Sequence, residues 1–161
     1  MAIKAGDRIP SMTLKVLGED GGPKDIATDA IFKGRTVALF ALPGAFTRTC
    51  SAKHLPGFIA HADAIRAKGV DAIVCLSVND AFVMGAWGHM QGAGDKVMML
   101  ADGNADFTRA IGMEIDRRSA GMGIRSKRYA MIVTDGVVKR IDEEPDGAYG
   151  VSSAEAVLAA L

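Results

Sequence analysis

The stretch TVALFALPGAFTRTC, residues 36–50, joins an apolar run to a loop of small residues that ends in a cysteine. Its first part, Thr36–Leu42, is short and almost continuously apolar, which is the pattern of a strand buried on both faces of a sheet. After Cys50 the apolar residues recur with helical spacing. In an open α/β sheet, ligands bind beyond the carboxyl ends of the strands, so this order of strand, loop and helix predicts a functional site in the loop.

Other apolar runs along the chain predict further strands. These strands are expected at Met12–Val16, Asp71–Val78, Tyr129–Thr134 and Val137–Ile141. The dipeptide Asp135–Gly136 separates the last two and is a two-residue hairpin signal. The sheet therefore contains at least one antiparallel pair.

Stretches with helical periodicity lie between and after the strands. The predicted helices are Arg48–Lys68, Ala81–Met90 and Ser152–Leu161. Pro56 should kink or split the first helix, and Gly69 should follow its end. Asn79 and Asp80 are candidate caps for the second. Buried strands that alternate with helices predict an α/β fold, with a mixed central β-sheet and helices on both faces.

Composition limits the classes of function. A chain of 161 residues fits a single domain over residues 1–161. Lys plus Arg and Asp plus Glu both total 19, so no net charge draws the protein to nucleic acid or to anionic membranes. Neither a secretory signal nor a long apolar span is visible, and two cysteines are too few for a disulfide scaffold. We therefore expect a cytoplasmic protein with reduced thiols.

Cys50 falls in the first turn of a predicted helix, with Thr47 as a plausible N-cap. The partial positive charge of a helix N-terminus favours thiolate over thiol, and Arg48 adds a fixed positive charge nearby. A fast reaction with a peroxide also requires the O–O bond to be aligned with the sulfur and the departing oxygen to be stabilised. A hydroxyl and a guanidinium are suited to these two tasks, but periodicity does not indicate which arginine is involved.

The loop resembles the Pro-x-x-x-Thr-x-x-Cys signature of the peroxiredoxins at Pro43, Thr47 and Cys50. The segments PGAFT, CSAKHLPGF and CLSVNDAFVMGAW look like the type II, peroxiredoxin-5-like subfamily, and RSKRYAMIVTDGVV and EEPDG extend the resemblance almost to the C-terminus. It implies a thioredoxin-like fold and a thiol peroxidase that reduces hydrogen peroxide and organic hydroperoxides. It also implies a homodimer packed near the active-site face.

The same resemblance implies a role for each matching residue. Cys50 would be the peroxidatic cysteine, which peroxide oxidises to a sulfenic acid. Thr47 would hydrogen-bond the thiolate and the peroxide, Arg128 would face the sulfur, and Pro43 would shield the thiolate from water. The backbone N–H groups of Thr49 and Cys50 would complete the peroxide site.

Three nearby residues need separate interpretation. Many relatives have proline where this chain has Arg48, so we expect this loop to be less rigid than theirs. Arg125 is a candidate to hold the catalytic residues in place without contacting the substrate itself. His54 lies one helical turn after Cys50, so a Cys-His pair is conceivable. A metal site would need more ligands than the sequence offers around any histidine, and we expect neither a metal nor a cofactor.

The sequence leaves the recycling of Cys50 open. Some relatives carry a resolving cysteine shortly after EPDG, but residues 147–153 contain none. The other thiol, Cys75, lies in a predicted core strand and is most simply a small hydrophobic residue. We therefore favour a one-cysteine mechanism in which glutathione and glutaredoxin reduce the sulfenic acid. A two-cysteine peroxidase that uses Cys75 and thioredoxin is the alternative.

Two readings outside peroxidase chemistry are also considered. A thiol–disulfide oxidoreductase on the same fold is disfavoured because the chain has no Cys-x-x-Cys pair. A non-enzymatic redox sensor or chaperone-like module would use the oxidation of Cys50 as a switch.

Overall fold

The computed structural model describes residues 1–161. Its nine strands are β1 Thr13–Leu17, β2 Pro23–Ala27, β3 Thr36–Ala41, β4 Ala72–Ser77, β5 Met98–Ala101, β6 Glu114–Asp116, β7 Ile124–Ser126, β8 Tyr129–Thr134 and β9 Val137–Glu143. Its five α-helices are α1 Thr28–Phe32, α2 Leu55–Ala67, α3 Ala81–Gln91, α4 Asp106–Ala110 and α5 Ala154–Ala160. A π-helical turn spans Cys50–His54, and a 3₁₀ turn spans Arg118–Ala120.

Seven of the strands form one mixed sheet in the order β2-β1-β5-β4-β3-β8-β9. Strand β3 is parallel to β4 and antiparallel to β8. Ala41, the last residue of β3, pairs with Tyr129, the first residue of β8. The loop after β3 and the residues before β8 therefore meet at the same edge of the sheet, where the candidate site is expected.

The alternating residues of the central strands bury their side chains in two cores, one on each face of the sheet. In β3, Ala38 and Phe40 point into the first core, whereas Val37, Leu39 and Ala41 point into the second. Helices α2, α3 and α5 cover the first core, and α1 and α4 contribute to the second. The predicted mixed sheet with helices on both faces is confirmed.

The long helix after the loop differs in detail from the prediction. The helical segment is not interrupted at Pro56, which lies in the first turn of α2, and a π-helical turn at Cys50–His54 runs directly into that helix. Within that turn the N–H of Leu55 donates to the carbonyl of Cys50, five residues earlier. Proline has no N–H to continue an α-helical ladder, and the wider turn ends where that donor is missing. Gly69 follows the helix with φ 99°, as expected for a residue past a helix C-terminus.

The structure contains both of the other predicted helices, and each has a side-chain cap, although only the cap of α3 was predicted. In α3, the Asp80 carboxylate accepts a hydrogen bond from the N–H of Val83 at 2.8 Å. Helix α5 begins at Ala154, two residues later than predicted, because Ser153 is its N-cap and accepts from the N–H of Ala156 at 3.1 Å. The short elements β2, α1, β5, β6, α4 and β7 were not predicted. No helix is both long and apolar enough to cross a lipid bilayer.

Candidate active site

The loop between β3 and the π-helical turn is held by hydrogen bonds from the neighbouring strand end. Asn79, which follows β4, accepts from the N–H of Ala45 at 3.0 Å and from the hydroxyl of Ser77 at 2.6 Å through its Oδ1. Within the loop Phe46 has φ 64°, a left-handed conformation that is uncommon for a large side chain. Asn79 was predicted only as a helix cap, so its contact with the loop is a feature that sequence reasoning missed.

Cys50 lies at the inner end of this loop and has no exposed surface. Arg128, the residue before β8, donates from Nη2 to the Cys50 sulfur at 3.1 Å. A guanidinium is always charged and has only donors, so the sulfur is the acceptor of this hydrogen bond. The structure thus brings together two of the predicted residues that are 78 positions apart in the sequence.

Thr47 precedes the first helical turn, and its carbonyl accepts from the N–H of Ser51 at 2.9 Å. Its hydroxyl donates to the carbonyl of Gly44 at 2.7 Å. The prediction that the Thr47 side chain caps the helix is therefore wrong, because the hydroxyl folds back onto the loop. The lone pairs on Oγ1 remain available to accept a proton from a ligand.

His54 lies on the far side of Arg128 from the sulfur and has no exposed surface. Its Nδ1 is 2.7 Å from Arg128 Nη1, and its Nε2 is 2.9 Å from the carbonyl oxygen of Ser152. An arginine can only donate and a carbonyl can only accept, so the proton is on Nε2 and Nδ1 is the acceptor. The Cys-His pair considered as an alternative from the sequence has no direct hydrogen bond, because Arg128 donates to both side chains.

The environment of His54 keeps its ring neutral. Burial, followed by the positive charge of Arg128, lowers the pKa of His54 from 6.5 to about 3, while the Ser152 carbonyl and Glu144 oppose this shift in part. Arg128 therefore has an uncharged acceptor on one side, and its positive charge is not neutralised by that partner. This charge remains available to the sulfur.

Arg125 supports the loop from β7. Its Nε donates to the carbonyl of Met122 at 2.8 Å, and its Nη1 donates to the carbonyl of Pro43 at 3.3 Å. A side chain at Gly44 would place its Cβ 2.8 Å from Arg125 Nη1, so the loop passes very close to the guanidinium. Arg48, in contrast, is exposed and points its charge to solvent.

A cleft of about 270 Å³ opens beside the loop. Its lining includes Pro43, Thr49 and Arg128 on the side of the thiol, and the turn at 143–148 on the other. Two ion pairs flank the cleft, Arg117 with Asp146 at 2.7 Å and Lys127 with Glu143 at 3.3 Å. Seven of the twelve residues that line the cleft are charged or polar, and Arg128, which contacts the Cys50 sulfur, is one of them. The structure contains no group of three or more His, Cys, Asp or Glu side chains arranged to hold a metal ion.

Comparison with known proteins identifies the family. A sequence model of the Redoxin family matches residues 4–158. Peroxiredoxin-2E, chloroplastic, of Arabidopsis thaliana is 48% identical over 163 residues, which cover 99% of this chain and 70% of the relative. Peroxiredoxin-2B of the same plant is 42% identical and is matched over 98% of its length. The chain belongs to the type II peroxiredoxins of the Redoxin family. It is therefore a thiol-dependent peroxidase.

Solved structures agree with this assignment and show that the fold is thioredoxin-like. Reduced Prx3 from Vibrio vulnificus in complex with H₂O₂ superposes with a TM-score of 0.94 at 49% identity, covering 98% of both chains. Peroxiredoxin 5 from Alvinella pompejana superposes with a TM-score of 0.85 at 34% identity, covering 98% of this chain and 96% of its own. The resemblance drawn from the sequence motifs is confirmed.

The second thiol of this peroxiredoxin lies inside the sheet. Cys75 is in β4, paired with Phe40 of β3 and Met99 of β5, and is fully buried. Burial raises the pKa of Cys75 well above its ordinary value, and the neighbouring Cys50 raises it further. Both cysteines are free. Cys75 is thus a neutral thiol packed in the same core as Cys50.

Two residues beside the catalytic region were not identified from the sequence, and the backbone N–H of one of them, Glu144, donates to the carbonyl of Arg128 at 2.9 Å. Ser152 provides the carbonyl that orients His54, and Glu144 accepts hydrogen bonds from the segment that contains Ser152. Glu144 belongs to the EEPDG motif, which the sequence analysis used only to establish the resemblance. Nothing in its local spacing indicates a contact with the active site.

Proposed function

We propose that this peroxiredoxin reduces hydrogen peroxide and organic hydroperoxides with Cys50 as the peroxidatic residue. The contact of Arg128 Nη2 with the Cys50 sulfur, at 3.1 Å, is the observation that carries the assignment. The thiolate attacks one peroxide oxygen and the O–O bond breaks. The departing oxygen takes a proton from solvent, equivalent to the one that the thiol released on ionising, and leaves as water or an alcohol. Cys50 becomes a sulfenic acid. The Prx3 relative whose structure contains H₂O₂ supports the choice of substrate.

Each of the other site residues has a task in this reaction. Thr47 Oγ1, whose own O–H donates to the carbonyl of Gly44, accepts a hydrogen bond from the peroxide O–H and orients the O–O bond. Arg128 stabilises the negative charge that develops on the oxygens. The N–H groups of Thr49 and Cys50 lie in the first helical turn, where donors lack helical acceptors. Pro43 lines the cleft beside them and excludes water from the sulfur.

The proposed recycling uses one cysteine. The sulfenic acid of Cys50 reacts with glutathione to form a mixed disulfide and water, and glutaredoxin or a second glutathione then releases the thiol. The deep burial and raised pKa of Cys75 support this route, because an attacking sulfur must be an accessible thiolate.

One comparison tests the reaction and its recycling. Peroxide-dependent oxidation of NADPH is measured with a glutathione–glutaredoxin system and with a thioredoxin system in parallel. Cys50→Ser should abolish turnover, and Cys75→Ser should leave it intact with glutaredoxin. Turnover by Cys50→Ser at the wild-type rate would end the assignment of Cys50. Dependence on thioredoxin together with a Cys50–Cys75 disulfide would replace the one-cysteine route with the two-cysteine alternative.

The proposal extends to the state of the protein in the cell. A homodimer that packs near the active-site face would cover Phe46 and Phe82, which are 51% and 55% exposed. Light scattering at micromolar concentration should give twice the monomer mass, and a monomer would contradict this part. The cytoplasm, a reducing compartment, suits the two free thiols, and cell fractionation tests that placement. A single cooperative unfolding transition would support one domain over residues 1–161.

A further inference from the structure

Glu144 is a buried carboxylate, 7% exposed, at the end of β9. Its Oε2 accepts three short hydrogen bonds: from the N–H of Gly150 at 2.6 Å, from the N–H of Ser152 at 2.8 Å, and from the hydroxyl of Ser152 at 2.7 Å. No cation forms a salt bridge with it in the structure. The carboxylate is thus used to organise the backbone of residues 150–152 and not to balance a charge.

The three hydrogen bonds keep Glu144 ionised. Burial acts to raise the pKa of Glu144, but the Ser152 hydroxyl and the N–H groups of Gly150, Ser152 and Val151 outweigh it, so the net pKa is lowered. An ionised acceptor makes stronger hydrogen bonds than a neutral one. The turn that contains Ser152 is therefore held firmly in one conformation.

The turn at residues 149–152 also orients His54. Its Ser152 carbonyl accepts from His54 Nε2 at 2.9 Å, and its Tyr149 ring meets the imidazole edge to face, with centroids 5.3 Å apart. Phe40 and Phe58 contact the ring from the sheet and from α2, with centroids at 4.9 and 5.7 Å. The imidazole cannot rotate without losing either its carbonyl partner or this aromatic packing.

A continuous series of hydrogen bonds therefore runs from Glu144 through Ser152 and His54 to Arg128, and ends at the Cys50 sulfur. We infer that Glu144 is a remote positioning residue of the peroxidase, which fixes the guanidinium of Arg128 on the thiolate by locking the orientation and tautomer of His54. This inference rests on the proposed roles of Cys50 and Arg128. It also assigns a function to the C-terminal turn, which makes no direct contact with Cys50.

Each hydrogen bond in this series allows only one arrangement of its donor and acceptor. Without the carboxylate, the N–H and hydroxyl of Ser152, which is fully buried, would lose their partner, and such groups are costly to leave unsatisfied. The turn would move to find other acceptors and withdraw the carbonyl from His54. The ring would then be free to carry its proton on Nδ1, and a protonated Nδ1 cannot accept a hydrogen bond from Arg128. The guanidinium would lose one of its two anchors.

The test compares Glu144→Ala and Glu144→Gln with wild type in the full-length reduced protein. The alanine variant should lower the second-order rate constant with hydrogen peroxide by about tenfold, because a small displacement of a catalytic group is costly. The glutamine variant keeps an oxygen that can accept from Ser152 and should restore part of the loss. It also serves as the measurable variant if Glu144→Ala does not fold.

A spectroscopic measurement separates positioning from general destabilisation. The ring nitrogen shifts of His54 in NMR spectra should show a fixed Nε2–H tautomer in the wild type and a loss of that single tautomer in Glu144→Ala. Ser153→Ala is the matched control, because it removes the N-cap of the adjacent helix α5 but leaves the Glu144 contacts in place. It should retain both the tautomer and the rate constant.

The outcomes distinguish the two proposals. A wild-type rate constant and an unchanged His54 tautomer in both Glu144 variants would overturn the positioning role. An equal loss of rate in Ser153→Ala would overturn it as well, because the effect would then be one of stability. If Cys50→Ser retains activity, the assignment of the catalytic cysteine fails, whereas the tautomer measurement still reports on the link between Glu144 and His54.

Discussion

Ala41 lies directly opposite Tyr129 in the antiparallel pairing of β3 with β8. The residue before Tyr129 is Arg128, and the loop after Ala41 leads to Cys50, so this one register brings the guanidinium to the sulfur. A shift of one residue would move every side chain of β8 to the opposite face of the sheet. The geometry of the active site thus depends on the strand pairing in the centre of the fold.

The two anchors of Arg128 predict the effect of a conservative replacement. Arg128→Lys keeps the charge, but a single ammonium group cannot reproduce the separate contacts of Nη1 with His54 and Nη2 with Cys50. Loss of a hydrogen bond to a charged group costs about 1.5–3 kcal/mol, so the rate constant with peroxide should fall by roughly 10- to 100-fold. Stopped-flow measurement checks this, with Arg140→Lys on the exposed side of β9 as the control. Equal rate constants for Arg128→Lys and wild type would contradict it.

The orientation of the Thr47 hydroxyl predicts a difference between two substitutions. Thr47→Ser keeps a hydroxyl that can donate to the carbonyl of Gly44 and accept from peroxide, so its activity should stay within about threefold of wild type. Thr47→Val has a similar shape but no hydroxyl, and its rate constant should fall by about 10- to 100-fold, as is usual for the loss of a positioning hydrogen bond. Steady-state kinetics with hydrogen peroxide decide the matter. Similar rates for valine and serine would remove Thr47 from the mechanism.

The sequence was sufficient to predict the elements that carry strong local patterns. The apolar runs that became β3, β4 and β8 are buried on both faces, so nearly every residue in them is hydrophobic. Strand β5 was missed because it is only four residues long and its residues, all apolar, do not alternate with polar ones. The five-residue helices α1 and α4 were missed for the same reason.

The candidate site was predictable only in part, for a different physical reason. Residues close to Cys50 in the sequence could be assigned from the loop and the helix start. The link from His54 to Ser152, in contrast, joins residues 98 positions apart through one side-chain to backbone hydrogen bond. Such a contact depends on how α2 packs against the C-terminal segment, and no local pattern of residue types records it.

The hydrogen bonds of Asn79 predict that the conformation of the active-site loop depends on the end of β4. Asn79→Ala would leave the N–H of Ala45 without its acceptor, and the hydroxyl of Ser77 would keep only its longer contact with the carbonyl of Leu42, at 3.3 Å. The free energy of unfolding should fall by about 1–3 kcal/mol, the cost of unsatisfied buried groups, and the peroxide rate constant should fall with it. Urea denaturation and peroxide kinetics provide the two measurements. Asp80→Ala is the matched control, because it removes the neighbouring cap of α3. It should also lower the free energy of unfolding, but at 25 °C it should change the peroxide rate constant less than Asn79→Ala does. A normal rate constant in Asn79→Ala would show that the loop keeps its shape without this contact.

The neutral, buried ring of His54 predicts how stability depends on pH. Burial and the charge of Arg128 hold the folded-state pKa of His54 at about 3, whereas its ordinary value is 6.5. Between these values the unfolded chain binds a proton that the folded chain does not. The contribution of His54 to the free energy of unfolding is therefore fully present above pH 6.5 and is lost as the pH falls towards 3. Within that window one such group contributes a slope of about 1.4 kcal/mol per pH unit.

The slope is measured as the difference between the wild type and His54→Gln. Urea denaturation at about pH 5.5 and pH 4.5, both below the reference pKa of histidine, gives the free energy of unfolding of each protein at both values. Carboxylates titrate in both proteins and cancel in the difference, so the wild type should lose roughly 1 kcal/mol more than the variant over this interval. His89→Gln, at the exposed end of α3, is the control for the loss of an imidazole. If His54→Gln loses as much stability as the wild type on acidification, or if His89→Gln reproduces the difference, the ring of His54 is not the group responsible.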